Sequence, residues 1–87
     1  MKEIYVGNLP YSIALDEIQT LFAPYGTVYS AKLCAETEPK HPHAYAFVEM
    51  EDEDADEAIR MLDRIEFMGR TLRVEEAKIE SKLVERF

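Results

Sequence analysis

The spacing of apolar residues along the chain changes between a period of two and a period near 3.6, which predicts alternating strands and helices. β-Branched and aromatic residues mark four predicted strands, over residues 4–6, 27–34, 43–50 and 71–75. In the second strand, Val28, Ala31 and Leu33 do not alternate strictly, so we expect a β-bulge there. Two prolines and several polar residues between 35 and 42 predict a loop.

Two segments have helical spacing instead. The second of them follows an acidic block at residues 49–57, in which Asp52 is a plausible N-cap. The first lacks a good N-cap, because Ile13 and Ala14 stand where Ser or Thr would be favoured. The inward faces are apolar at helical intervals: Leu15, Ile18, Leu21, Phe22 and Tyr25 in the first helix, and Ala55, Ala58, Ile59 and Leu62 in the second.

The order strand, helix, strand, strand, helix, strand predicts an α+β fold with the ferredoxin-like βαββαβ plan. A four-stranded antiparallel sheet would carry both helices on one face and leave the other face open to solvent. We assign residues 1–77 to this domain and residues 78–87 to an amphipathic tail. In the tail, Ile79, Leu83 and Phe87 recur every four residues, which suits a short C-terminal helix.

Alternation along the third predicted strand puts two large rings on the open face. Small and aliphatic residues take the inward positions, so Tyr45 and Phe47 face outward. The same alternation turns Tyr5 outward on the first strand. Rings that face water lose hydrophobic stabilisation unless something covers them. Single-stranded bases would suit, since stacking on an aromatic ring contributes roughly 1–3 kcal/mol per base. The rings could instead pack beneath the tail or against a protein.

Two short motifs resemble those of the RNA recognition motif family. HAYAFVEM, residues 43–50, is similar to the family's octamer K/R-G-F/Y-G/A-F-V-x-F/Y over its third to sixth positions. IYVGNL, residues 4–9, has the hexamer order of aliphatic, aromatic, aliphatic, small or polar, Asn and Leu. IQTLFAPYGTV and GRTLRVEEA resemble the family's first helix and last strand. The resemblance implies that Tyr5, Tyr45 and Phe47 stack on the bases of single-stranded RNA.

Three positions depart from the octamer. His43 replaces the opening Lys or Arg, which weakens a phosphate contact while the imidazole is neutral. Ala44 replaces Gly, and Met50 replaces the last aromatic residue at an inward position. None of these changes removes a stacking ring. Cations expected near the open face complete the candidate nucleic-acid site together with His43: Lys2, Lys32, Arg70, Arg73 and Lys78.

The net charge of −8, from 18 acidic and 10 basic residues, argues at first against a ligand rich in phosphates. Outside the acidic block, however, 11 acidic residues face 10 basic ones. We expect this block to begin a helix behind the sheet, where screening over about 8 Å limits its effect on a bound ligand. The sequence therefore predicts weak binding of single-stranded RNA, dominated by stacking, and we extend this expectation to single-stranded DNA.

Other classes of function find little support in the 87 residues. There is no Ser–His–acid grouping and no phosphate-cradling glycine loop, so we expect neither an enzyme nor a cofactor. Cys34, His41 and His43 are too few and too irregularly spaced to predict a metal site. No apolar run approaches the roughly 20 residues of a membrane span. A single cysteine and the lack of a signal-like start favour a cytoplasmic protein.

A protein-interaction module is the alternative interpretation. The low basic content would suit a domain of this fold that uses its sheet face, its helices or its tail to bind a protein partner. The tail itself could dock on the open sheet, pair with a second copy in a homodimer, or remain frayed, because its apolar stripe needs cover.

Overall fold

The computed structural model describes residues 1–36 and 43–77, with all of their side chains except those of residues 35, 36 and 43. The observed elements follow the predicted order, with a short hairpin added before the last strand. The strands are β1 (Lys2–Leu9), β2 (Ser30–Glu36), β3 (His43–Met50), β4 (Glu66–Phe67), β5 (Arg70–Thr71) and β6 (Arg73–Glu76). The helices are α1 (Leu15–Phe22), continued by a 3-10 turn at Ala23–Tyr25, and α2 (Asp52–Leu62).

Four of the strands form one antiparallel sheet in the order β2-β3-β1-β6, while β4 and β5 form a separate ribbon. The strands that carry Tyr5, Tyr45 and Phe47, β1 and β3, therefore lie at the centre. Tyr5 of β1 stands directly opposite Phe47 of β3, and Val6 stands opposite Ala46. This topology confirms the predicted α+β, ferredoxin-like βαββαβ fold.

The hydrophobic core lies between one face of the sheet and the two helices. Each helix contributes one apolar side to it, as the helical spacing predicted, but the expectation that Leu15 faces inward is wrong, because its side chain is exposed at the start of α1. Burial of these side chains is the main favourable term for a domain of this size. The core residues are Ile4, Val6, Leu9, Ile13, Ile18, Phe22, Ala44, Ala46, Val48, Met50, Ala55, Ala58, Leu62, Leu72 and Val74.

The helix starts use acidic side chains in two different ways. Ala14 precedes α1 and cannot cap it, but its N–H donates to the Glu17 carboxylate at 3.0 Å, which is half of a capping box. At α2 the expected N-cap is wrong by one position. Glu51 precedes the helix without a side-chain capping bond, and Asp52 is the first helical residue. Acids in the first turn of α2 are favourable next to the positive end of the helix dipole.

The β-bulge lies in β1 rather than in β2, where it was expected. The register between β2 and β3 is regular from Ser30 opposite Glu49 onward. Val28 comes before the strand begins, so it does not belong to the alternation of side chains within β2 and gives no evidence for a bulge there. In β1 the register shifts between Val6 and Leu9, where Asn8 has a φ of 62°. Asn tolerates this left-handed conformation better than most residues.

The last predicted strand, residues 71–75, is divided between two elements. Thr71 pairs with Glu66 in the ribbon, and β6 begins only at Arg73. The chain that follows α2 covers the outer edge of β6. There the Val74 N–H donates to the Asp63 carboxylate at 3.0 Å. The amphipathic tail at residues 78–87, with its predicted helix, lies outside the described residues.

Candidate nucleic-acid interface

Three aromatic rings form a cluster on the sheet face opposite the helices, here called the open face. Tyr5 and Phe47 are cross-strand partners, and their ring centroids lie 5.7 Å apart. The Tyr45 centroid lies 6.2 Å from that of Tyr5 and 6.1 Å from that of Phe47. Tilted and edge-on arrangements at these distances are favourable for aromatic pairs. The structure thus brings the three predicted rings together.

Exposure differs among the three rings. Tyr5 and Tyr45 are half-buried, whereas Phe47 is only 5% exposed. The expectation that the outward-facing rings are exposed to water is therefore wrong for Phe47. Phe47 is nevertheless not a core residue, because the core cluster on the helix side does not include it. The two tyrosine rings next to Phe47 contribute to its burial, so the tyrosines offer more of the accessible aromatic surface.

Gly7 supports the ring of Tyr5, a role that sequence reasoning missed. A Cβ atom placed on Gly7 would lie 2.7 Å from the Tyr5 hydroxyl oxygen and 2.8 Å from ring atom Cε2. The phenol ring therefore lies along the sheet over the backbone of Gly7, in space that any larger residue would occupy. The available signal was a glycine two positions after an outward-facing aromatic residue, which puts both on the same face of the strand.

Lys2 does not face the predicted site. It shares the alternation of Ile4 and Val6, so its side chain reaches the helix side of the sheet. There the ammonium donates to the Asp56 carboxylate at 2.7 Å and lies 3.7 Å from Glu76. The hydrogen bond to Asp56 raises the pKa of Lys2 above its ordinary value. The expectation that Lys2 serves the open face is wrong for this reason.

Arg70 is engaged in a structural clamp with the bulge of β1. Its Nε donates to the Asn8 carbonyl oxygen at 3.2 Å, and its Nη2 donates to Asn8 Oδ1 at 3.0 Å. The Asn8 amide in turn donates to the Thr71 carbonyl oxygen at 2.7 Å. These bonds tie β5 to β1, so the guanidinium is already committed to protein acceptors. The sequence predicted Arg70 as a ligand contact, because no local pattern indicates that its guanidinium bonds to Asn8, 62 residues away.

The open face still carries cations at both of its edges. Lys32 of β2 lies opposite Phe47, and Arg73 of β6 lies opposite Gly7. Both side chains are exposed, so either can reach the phosphates of a strand that crosses the rings. Lys78 and the side chain of His43 lie outside the described part of the structure.

Carboxylates share the same face. Glu75 of β6 lies opposite Tyr5, and Glu3 of β1 lies opposite Glu49 of β3. The open face is therefore a row of rings with a cation at each edge and acidic groups toward one end. This mixture differs from the continuous basic surface of proteins that bind mainly through phosphates.

The acidic start of α2 lies on the helix side of the sheet. Asp56 contacts Lys2 there, and Glu51 accepts a hydrogen bond from the Tyr29 hydroxyl at 3.1 Å. That bond raises the pKa of Tyr29 above its ordinary value. Apart from Glu49, which lies on the open face opposite Glu3, this position agrees with the expectation that the acidic block begins a helix behind the sheet.

Neither a metal site nor a membrane-spanning helix is found in the part of the chain that the structure describes. Residues 1–36 and 43–77 contain no group of three or more side chains suited to hold a metal ion. Within the same ranges, no helix has both the length and the apolar character needed to cross a membrane.

Comparisons with known proteins agree with this architecture. The family model for the RNA recognition motif matches residues 4–73. RbpA of Nostoc sp., which is assigned as an RNA-binding protein, is 45% identical over 76 residues, covering 86% of this chain and 74% of the relative. The crystal structure of RNA Binding Protein PG1 is 44% identical, with a TM-score of 0.77 over 88% of this chain and 94% of that one.

A solved complex of the Sxl-lethal protein with RNA is also similar to this chain. It is 32% identical, with a TM-score of 0.75, and the match covers 87% of this chain and 47% of that protein. The family model alone spans more than half of the present sequence. The chain therefore belongs to the RNA recognition motif family.

Proposed function

We propose that this domain binds single-stranded RNA on the open face, with bases stacked on Tyr5 and Tyr45 and with Phe47 as the buried support between them. The observation that carries the proposal is the ring cluster on the side of the sheet away from the helices. Each nucleobase has a flat π-face that can cover such rings. Membership of the family and the solved RNA complex of a similar protein support the same ligand.

Stacking rather than charge is the main source of affinity in this proposal. Lys32 and Arg73 flank the rings, while Glu3, Glu49 and Glu75 limit how strongly phosphates are attracted. Such a surface suits flexible single strands, whose bases can turn toward the rings, better than a duplex. Single-stranded DNA offers the same π-faces and is a second ligand in the proposal. The cytoplasm is the compartment that we propose, and binding rather than catalysis is the activity.

A titration with a short RNA of mixed sequence tests this function directly. The chain has five tyrosines and no Trp, so tyrosine emission is not masked by Trp, and a change on binding reports on Tyr5 and Tyr45 above the emission of the other three tyrosines. We expect the emission to be quenched on binding. The Tyr45→Ala variant should bind RNA at least about fivefold more weakly than the wild type, which corresponds to the lower limit for the loss of one stacked base. Tyr29→Ala is the matched control, because Tyr29 is exposed and bonds to Glu51 of the acidic block. No quenching at high RNA concentration, or equal losses in both variants, would contradict the proposal.

A groove on the helix side favours a second candidate function, the binding of a protein segment. The groove lies between α1, the 3-10 turn and the β4–β5 ribbon and has a volume of about 530 Å³. Leu21, Tyr25 and Phe67 line it together with Met68, which is 58% exposed. Asp16 and Glu17 stand at its rim. This pattern suits a partner segment that inserts an apolar side chain flanked by Lys or Arg, because acids and cations are complementary.

A second copy of the chain is a poor occupant of this groove, since two domains of charge −8 repel each other. Shift mapping by NMR with a synthetic peptide of leucines flanked by lysines tests the assignment. Shifts confined to the groove, and lost in Met68→Glu, support it. Shifts on the open face alone, or concentration-dependent dimerisation through the groove, would overturn it.

A further inference from the structure

The edge strand β6 presents two groups of opposite charge beside the ring of Tyr5. Glu75 stands directly across from Tyr5, and Arg73 stands across from Gly7, over which the Tyr5 ring lies. Directly opposite residues in an antiparallel pair have Cβ atoms about 4.5–5.5 Å apart. A base stacked on Tyr5 therefore has a carboxylate and a guanidinium within reach of its edge.

The surface beyond this strand is concave. A depression of about 330 Å³ lies at the edge of β6, and Arg73 and Glu75 both line it together with Arg64 and Thr71. Its volume lies within the range of pockets that hold small ligands. A purine that projects past the Tyr5 ring would find both room and polar groups there.

The chemistry of a carboxylate limits what Glu75 can recognise. An ionised carboxylate only accepts hydrogen bonds, and it repels phosphates, so it is suited to base edges that donate. Guanine has two neighbouring donors on its Watson–Crick edge, N1–H and the 2-amino group, which match the two oxygens of one carboxylate. Adenine and cytosine offer one amino group on this edge, and uracil offers one N–H. Bidentate bonds to a charged group are stronger than single ones.

We propose that Glu75 gives this site a preference for guanine at the base stacked on Tyr5, with Arg73 holding the adjacent phosphate. The inference rests on the proposed RNA-binding function and names the base which that function would select. Glu75 acts as an acceptor for N1–H and the 2-amino group, and Arg73 supplies the positive charge that offsets the repulsion between Glu75 and the RNA backbone.

The chain offers a matched control for the test. Glu76 is the next residue on the same strand, but it lies opposite Ile4 on the helix side, 3.7 Å from Lys2. Glu75→Gln and Glu76→Gln remove the same charge from neighbouring exposed positions. Affinities are measured for hexanucleotides of alternating guanosine and uridine, and for the same hexanucleotides with inosine or adenosine in place of guanosine. Inosine lacks only the 2-amino group.

The wild-type protein should bind the guanosine hexanucleotide at least about fivefold more tightly than the inosine hexanucleotide. This ratio is the lower end of the discrimination that a bidentate pair provides. Glu75→Gln should abolish that ratio, and Glu76→Gln should leave it unchanged. Equal affinity of the wild type for all three RNAs, or loss of the ratio in both variants, would overturn the guanine preference while leaving RNA binding in place. Absence of binding to every RNA would overturn the proposed function together with this inference.

Discussion

The ring of Tyr5 lies over Gly7 so closely that a methyl group on Gly7 would stand 2.7 Å from the phenol oxygen. Gly7 is buried beneath this ring and lies on the same face of β1. The orientation of the ring therefore depends on the absence of a side chain two residues further along the strand. Gly7, which has no side chain, thus determines the orientation of the Tyr5 ring on which a base would stack.

Gly7→Ala should tilt the Tyr5 ring away from the sheet and weaken RNA binding by about threefold to tenfold, a part of one stacking contribution. Stability should change little, since the obstructing atoms are at the far end of a movable side chain. Affinity measurements in a double-mutant cycle check this interpretation. In a Tyr5→Ala background, Gly7→Ala should cost no further affinity, and an additive loss would mean that Gly7 acts by another route.

Arg70→Ala should lower the free energy of unfolding by about 1–2 kcal/mol, because two hydrogen bonds from a charged group to Asn8 are lost in a partly buried place. Denaturant unfolding measures this loss. Arg73→Ala is the control, since Arg73 is exposed on β6. If Arg70→Ala were as stable as the wild type but bound RNA much more weakly, Arg70 would be a ligand contact after all.

The salt dependence of RNA binding should be shallow. Lys32 and Arg73, with at most one further cation, predict a slope of log K against log salt between about −1.4 and −2 for a single strand. A slope of −5 or steeper would mean that phosphates dominate. Lys32→Ala and Arg73→Ala should each reduce the magnitude of the slope by about 0.7. Lys2→Ala should not change it, because Lys2 bonds to Asp56 on the helix side.

Tyr29 should ionise above its ordinary pKa of 10.0, because its hydroxyl donates to the Glu51 carboxylate. A raised pKa means that the folded protein holds this proton more tightly than the unfolded chain does. The associated stability is therefore complete below pH 10 and is lost as the pH rises through the folded-state pKa. The difference in tyrosinate absorbance between the wild type and Tyr29→Phe should have its midpoint above pH 10. In Glu51→Gln the titration of Tyr29 should move to lower pH, and no movement would contradict the assignment.

Truncation after Ala77 tests the tail that the sequence predicts as amphipathic. The cut preserves the bond from the Ala77 N–H to the Glu3 carbonyl oxygen, so β6 keeps its pairing with β1. If the apolar stripe of Ile79, Leu83 and Phe87 competes with bases for the open face, truncation should tighten RNA binding. Affinity that is unchanged or weaker would dismiss this role. Sedimentation of both forms would show whether the stripe instead pairs two copies.

The fold and the ring cluster could be predicted because they depend on local periodicity. Tyr5, Tyr45 and Phe47 alternate with inward residues on strands whose neighbours are also recognisable. The same alternation also held the information that Lys2 points with Ile4 toward the helices, and the prediction did not use it.

Other features depend on contacts between distant residues, which a single sequence does not encode as a pattern. The burial of Phe47 depends on the packing of the rings around it. The engagement of Arg70 depends on the left-handed backbone at Asn8, 62 residues away in the chain. The sequence pattern predicts the bulge in the wrong strand, because Val28 falls within the predicted second strand whereas β2 begins only at Ser30.

The carboxylate of Asp63 accepts a hydrogen bond from the Val74 N–H, which points away from β1 at the outer side of the sheet. An exposed margin of this kind is a template on which another extended chain can polymerise. A second copy that paired with β6 to extend the sheet would first have to break the bond between Asp63 and Val74. This bond is intramolecular, so it forms at any protein concentration. The short segment after α2 thus protects this side of the sheet from aggregation by strand pairing.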